Sequence, residues 1–139
     1  MSRLGALVAP VALAAVAVVG GACAAAHGAN GERVITLTIR HSRFSATTLH
    51  VDAGTFVRFV VRNTDPIDHE LIVGDEAVQV IHEHGTETHH GARPGEVSVP
   101  AGTTASTTYV FSAPGPLLFG CHLPGHWSYG MHGSIVVVP

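Results

Sequence analysis

Lysine is absent from this 139-residue chain: its seven basic residues are all arginine, set against ten acidic ones, for a formal net charge of −3. Loss of Arg3 with an N-terminal leader would move that balance to −4. No basic patch is left to meet a phosphate backbone, so nucleic acid is excluded as a partner, and the mild acidity serves solubility. Cysteine is nearly absent too, with only Cys23 and Cys121. If Cys23 is removed or modified, Cys121 has no partner within the chain, and a disulfide framework is excluded. A lone thiol in an oxidising compartment needs a reason, and metal ligation supplies one. Also missing after the leader is any clear amphipathic helix, which leaves sheet structure to build the core.

What the chain does have begins with an Ala/Val/Leu run from Ala6 to Val19, followed by Gly20-Gly21-Ala22-Cys23. The run is too short, and too quickly followed by small residues, for a membrane-spanning helix, and reads as an export signal over residues 1–26. Cleavage after Ala24 or Ala26 satisfies ordinary signal peptidase. The Gly-Gly-Ala-Cys tetrad also resembles a lipoprotein box with Gly in place of its usual leading aliphatic residue, so Cys23 is a candidate for lipidation and a membrane tether. Residues 27–139 suffice for one compact domain and are too few for two.

That domain reads as strand after strand. In Arg33 to Arg40, Ile35, Leu37 and Ile39 alternate with Thr36, Thr38 and Arg40, the period-2 pattern of a sheet with one buried face. Further runs lie at Thr55 to Arg62, His69 to Val73, Ala105 to Phe111, Pro116 to Gly120 and Ser134 to Val138. Turn sequences such as Asp52-Ala-Gly54 and Ala113-Pro-Gly115 separate them. The expected fold is all-β, a Greek-key β-sandwich or barrel. One region, about residues 74–95, is expected to be a weakly structured insertion, and it carries His82, His84, His89 and His90.

The chemistry sits near the C-terminus, where Cys121-His-Leu-Pro-Gly-His126-Trp-Ser-Tyr-Gly-Met131 precedes a short apolar strand. A thiolate, an imidazole and a thioether on one tight loop suit a mononuclear copper ion. Soft sulfur serves its reduced state and imidazole its oxidised state, in a plane of two His and one Cys with a weak axial Met. The missing histidine should follow a strand and a turn that bring it beside this loop. His69 does so, after Phe56 to Arg62 and the turn Asn63-Thr-Asp-Pro-Ile-Asp68.

With these residues in place the chain resembles the cupredoxins, the blue-copper proteins, over essentially the whole domain. Their Cys-x4-His-x4-Met motif falls on Cys121, His126 and Met131, and their upstream histidine on His69. Pro124-Gly125 and Gly130 look most like the rusticyanin-like and periplasmic copper-tolerance branches. The resemblance implies one copper ion cycling between Cu(I) and Cu(II), a periplasmic or membrane-anchored extracytoplasmic location, a monomer, and redox protein partners such as cytochromes or oxidases. His126, with Leu123, Pro124 and Trp127 around it, is the expected electron doorway. Glu70 departs from the Asn that often follows the upstream ligand.

An enzyme is not expected. A trinuclear oxidase cluster needs eight histidines in paired motifs, normally from at least two sandwich domains, and a histidine where Gly120 stands, and a binuclear centre needs a second cysteine in the loop. Two functions share the remaining site: a single-electron carrier, and a copper-binding protein of tolerance or homeostasis. The second would use His82, His84, His89 and His90 as accessory metal ligands. His27, His41, His50 and His132 carry less information, and Trp127 and Tyr129 are expected to pack the ligand loop.

Overall fold

The computed structural model describes residues 31–85, 89–91 and 93–139. The leader, Cys23 and His27 lie outside them. The described chain runs β1 (Arg33–Ile39), β2 (Thr48–Asp52), β3 (Thr55–Asn63), β4 (His69–Gly74), α1 (Glu76–Glu83), β5 (Glu96–Val99), β6 (Thr104–Phe111), β7 (Gly115–Gly120) and β8 (His132–Val138). A three-stranded sheet in the order β1-β3-β6 and a five-stranded sheet in the order β2-β8-β7-β4-β5 make a β-sandwich. Both β1 beside β3 and β2 beside β8 run parallel; the other pairs are antiparallel.

Alternation decides what is buried. Leu37 and Ile39 of β1, Val57, Phe59 and Val61 of β3, and Ile135 and Val137 of β8 point inward and are buried. Phe44 and Phe119 meet edge to face at 5.3 Å between centroids, closing the core toward the site end. All six strands expected from alternation are present. Two were not anticipated, β2 and β5. β2 has one fully buried residue, Val51, and β5 has only four residues at a sheet edge.

The expectation of no helix and of a weakly structured insertion is corrected by α1, which occupies Glu76–Glu83. Asp75 caps it, its Oδ1 accepting from the Val78 amide at 3.0 Å, and Glu76 lies in the positive first turn. The helix escapes a hydrophobic-periodicity search because its buried residue is Gln79, while Val80 and Ile81 are exposed. Gln79 turns toward the carbonyls of Ile72, Gly74 and Leu118, so a polar side chain seats the helix against β4 and β7.

Candidate metal centre

Three neighbouring strands bring the candidate ligands to one end of the sandwich. β7 lies between β4 and β8, pairing Gly120 with Ile72 on one side and with His132 on the other. His69 opens β4, Cys121 follows β7 directly, and Met131 directly precedes β8. The loop between Cys121 and Met131 is closed at its base by the Cys121 amide donating to the Met131 carbonyl at 3.0 Å. Inside it, the Met131 amide donates to the His126 carbonyl at 3.0 Å and the His126 amide to the Leu123 carbonyl at 2.9 Å. Gly125 and Gly130 take φ of 82° and 93°, left-handed values that let so short a loop fold back on itself.

His69, Cys121 and His126 offer ligand atoms that all lie within 4.8 Å of one another. Cys121 Sγ is 3.1 Å from His126 Nδ1, and His126 Nδ1 is 3.3 Å from His69 Nδ1. Cys121, His69 and Met131 are buried, and His126 is half-buried at the surface end. Burial, then the charge of His69, hold the His126 imidazole below its ordinary pKa, which keeps it neutral with a lone pair to donate. Burial pushes the Cys121 thiol up to about 12, against the amides of Leu123 and Glu70 that donate to its sulfur. Without a cation the thiolate is therefore disfavoured. Two imidazoles around one buried sulfur are a donor set that copper fits, since the ion itself supplies the charge the thiolate requires.

Several residues that build this centre were not anticipated. Asp65 accepts from His69 Nε2 at 3.0 Å, which places the ring proton there and leaves Nδ1 facing the centre. The same carboxylate accepts the amides of His41 and Ser42, each at 2.7 Å. Burial alone would raise the Asp65 pKa, but these hydrogen bonds, with that from His69, hold it below the usual carboxylate value. Asn63 accepts the Asp65 amide at 2.9 Å and donates to the carbonyls of Ile67 and Val99 at 2.8 and 3.0 Å, fixing the turn that leads to His69. Arg43 donates to the carbonyls of Tyr129 and Gly130 at 2.9 and 3.2 Å and lies 4.7 Å over the Tyr129 ring, clamping the ligand loop from outside.

Glu70, the departure from the usual Asn, spans two surroundings. Its Oε1 accepts the His122 amide at 2.7 Å, next to Cys121 in sequence, and its Oε2 lies 3.3 Å from His90 Nε2. Trp127 stacks between His122 and His132, with centroids 4.6 and 4.5 Å away. Its ring also explains Gly120: a Cβ there would stand 2.4 Å from Trp127 Cζ3. The position where an oxidase carries histidine has no room for a side chain.

Of the four insertion histidines, the structure brings His82 and His90 together with Glu96. His84 caps the end of α1, and His89 is exposed near His69 and Leu123; neither joins that group. His41 and His50 are exposed. No helix among the described residues is long and apolar enough to cross a membrane.

The chain is similar to the copper-resistant cuproprotein CopI of Rubrivivax gelatinosus, with 33% identity over 114 residues, 78% of this chain and 68% of that protein. It is also similar to auracyanin-B of Chloroflexus aurantiacus, 30% identical over 111 residues, 69% of this chain and 47% of the relative. A solved structure of auracyanin B superposes with a TM-score of 0.65 at 22% identity, covering 81% of this chain and 92% of that one, a likeness of fold. The family model for a cupredoxin-like domain matches residues 11–137. Sandwich, ligand constellation and sequence similarity agree: the chain belongs to the cupredoxin-like family of copper proteins.

Proposed function

We propose that this protein is an exported type 1 copper protein that carries single electrons between redox partners. The ligands are His69, Cys121 and His126, with Met131 as the weak axial donor. The observation that carries this reading is the convergence of His69, from the start of β4, with Cys121 and His126 of the loop after β7, each segment held by its own hydrogen bonds. A site so braced changes little when copper changes oxidation state, which favours fast transfer. His126, half-buried beside Leu123 and Trp127, is the proposed doorway, and a small apolar patch there suits brief encounters with cytochromes or oxidases. The same reading makes residues 1–26 a cleaved signal and the protein a periplasmic, non-enzymatic monomer, tethered to the membrane if Cys23 is lipidated.

Copper tolerance is the second reading, favoured by the similarity to CopI, a protein described as copper-resistant. Optical and paramagnetic resonance spectra of the copper-loaded protein, with metal counted per chain, test both. One copper with an intense thiolate-to-copper band, lost in Cys121→Ser, supports the carrier. An unchanged spectrum in that variant would overturn the ligand assignment, and several reversibly released coppers would favour tolerance.

A further inference from the structure

On the helix side of Glu70 lies a second group of metal-ligating side chains that the copper centre does not use. His82 projects from α1, His90 from the segment after it, and Glu96 opens β5; their ligand atoms all lie within 4.8 Å of one another. His90 is buried, and His82 and Glu96 are half-buried.

Tautomer and spacing both bear on what this group holds. His82 Nδ1 lies 2.8 Å from the Val78 carbonyl, which can only accept, so Nδ1 carries the proton and Nε2 of the neutral ring presents a lone pair. That lone pair faces Glu96 Oε1 at 3.6 Å, acceptor against acceptor. Glu96 Oε2 is buried without a hydrogen bond among the described residues, with His90 Nδ1 3.4 Å and Arg93 Nη1 3.9 Å from it. These separations are long for charge-assisted hydrogen bonds, which close to about 2.7–2.9 Å. They run to the two different oxygens of Glu96, and one ligand atom from each of the three residues lies within 4.8 Å of the others, a spacing that an ion with bonds of about 2.0–2.1 Å and a tetrahedral edge of roughly 3.4 Å would draw together. Elsewhere in this protein a carboxylate bonded to imidazole comes closer, at 2.8 Å for Glu83 with His122 and 3.0 Å for Asp65 with His69. The Nδ1 bond to a backbone carbonyl is also the support that metal-binding histidines receive.

We propose that His82, His90 and Glu96 form a second metal site, for a divalent cation of the zinc or copper(II) class, separate from the copper centre. Two borderline imidazoles beside one hard carboxylate suit these ions, whereas calcium and magnesium take oxygen ligands throughout. The site draws on the histidine-rich insertion through His82 and His90 and does not need His84 or His89. It does not rest on the electron-carrier reading, because none of its ligands is shared with that centre.

The test is a calorimetric titration of Zn2+ into the copper-loaded protein, with Glu96→Gln, His82→Ala and the double variant His84→Ala/His89→Ala in parallel. One equivalent of zinc is expected in the parent and in the double variant, and none in Glu96→Gln or His82→Ala. Glu96→Gln keeps shape and guards against loss by unfolding, with near-ultraviolet circular dichroism as the check. No zinc in the parent, zinc surviving both single substitutions, or zinc lost in the double variant would overturn the proposal. The titration is repeated in Cys121→Ser, where the zinc equivalent should persist; failure of the copper centre is then told apart from failure of this site.

Discussion

Asp65 holds His69 by its outer nitrogen, Oδ2 to Nε2 at 3.0 Å, while the inner nitrogen of the same ring faces His126. The carboxylate thereby sets which nitrogen is left to bind a metal, and it reaches the site from the turn just before β4. It also accepts hydrogen bonds from the amides of His41 and Ser42, two non-glycine residues at φ of 52° and 50°. One side chain stabilises a strained turn and orients a ligand.

Asp65→Ala should therefore weaken both. Removing an acceptor that orients a ligating histidine lowers metal affinity by about 10–100-fold. Leaving the amides without their partner destabilises the fold by about 1–3 kcal/mol. Competition with a copper chelator and denaturant unfolding measure the two effects. Unchanged copper affinity would mean that the pocket alone fixes the His69 ring.

Glu70 gives a second, separable outcome. Glu70→Gln keeps an oxygen for the His122 amide and removes a negative charge beside Cys121, the proposed copper ligand. The coloured centre should survive with a higher reduction potential, because the lost charge had favoured the more positive oxidised ion. Glu70→Ala should instead cost about 1–3 kcal/mol, since a partly buried amide loses its acceptor. Voltammetry and unfolding together distinguish the two variants; a lower potential in Glu70→Gln would contradict the electrostatic account.

Gly120 is set by Trp127, and the pair can be tested as a pair. A methyl at position 120 would meet the indole at 2.4 and 2.6 Å, so Gly120→Ala should destabilise by about 1–3 kcal/mol. In a Trp127→Ala background the same change should cost far less, giving a coupling energy of about 1–2 kcal/mol in a double-mutant cycle. Additive costs would place the strain in the backbone of β7 instead of against the ring.

What was legible in the sequence follows from what is local. Cys121, His126 and Met131 stand at fixed spacing in one loop, and Ile35, Leu37 and Ile39 alternate within one strand, so both signals survive without knowledge of the fold. His69 was readable because a strand and a turn precede it. Asp65 and Arg43 act across the chain: Asp65 on His41 and Ser42, Arg43 on Tyr129 and Gly130. Nothing nearby in sequence marks them. α1 was hidden for a different reason, since its apolar Val80 and Ile81 face outward and polar Gln79 faces in. The Asp75-Glu76 start was its one local signal.

The Cys121 thiol, pushed up to about 12 from an ordinary 9.0 chiefly by burial, makes the metal-free protein sensitive to alkali. A group whose pKa is raised on folding contributes stability that is complete below its unfolded value and is lost as pH rises toward its folded one. Metal-free protein should therefore lose stability between about pH 9 and 12, while Cys121→Ser should show less of that slope in denaturant unfolding at pH 7 and pH 10. Copper binding reverses the balance, because the ion takes the thiolate and releases the proton. Uptake at neutral pH should free about one proton per copper, read with an indicator dye in weak buffer, and affinity should rise about tenfold per pH unit. Proton release that is equal in Cys121→Ser would show that the cysteine is already ionised before the metal arrives.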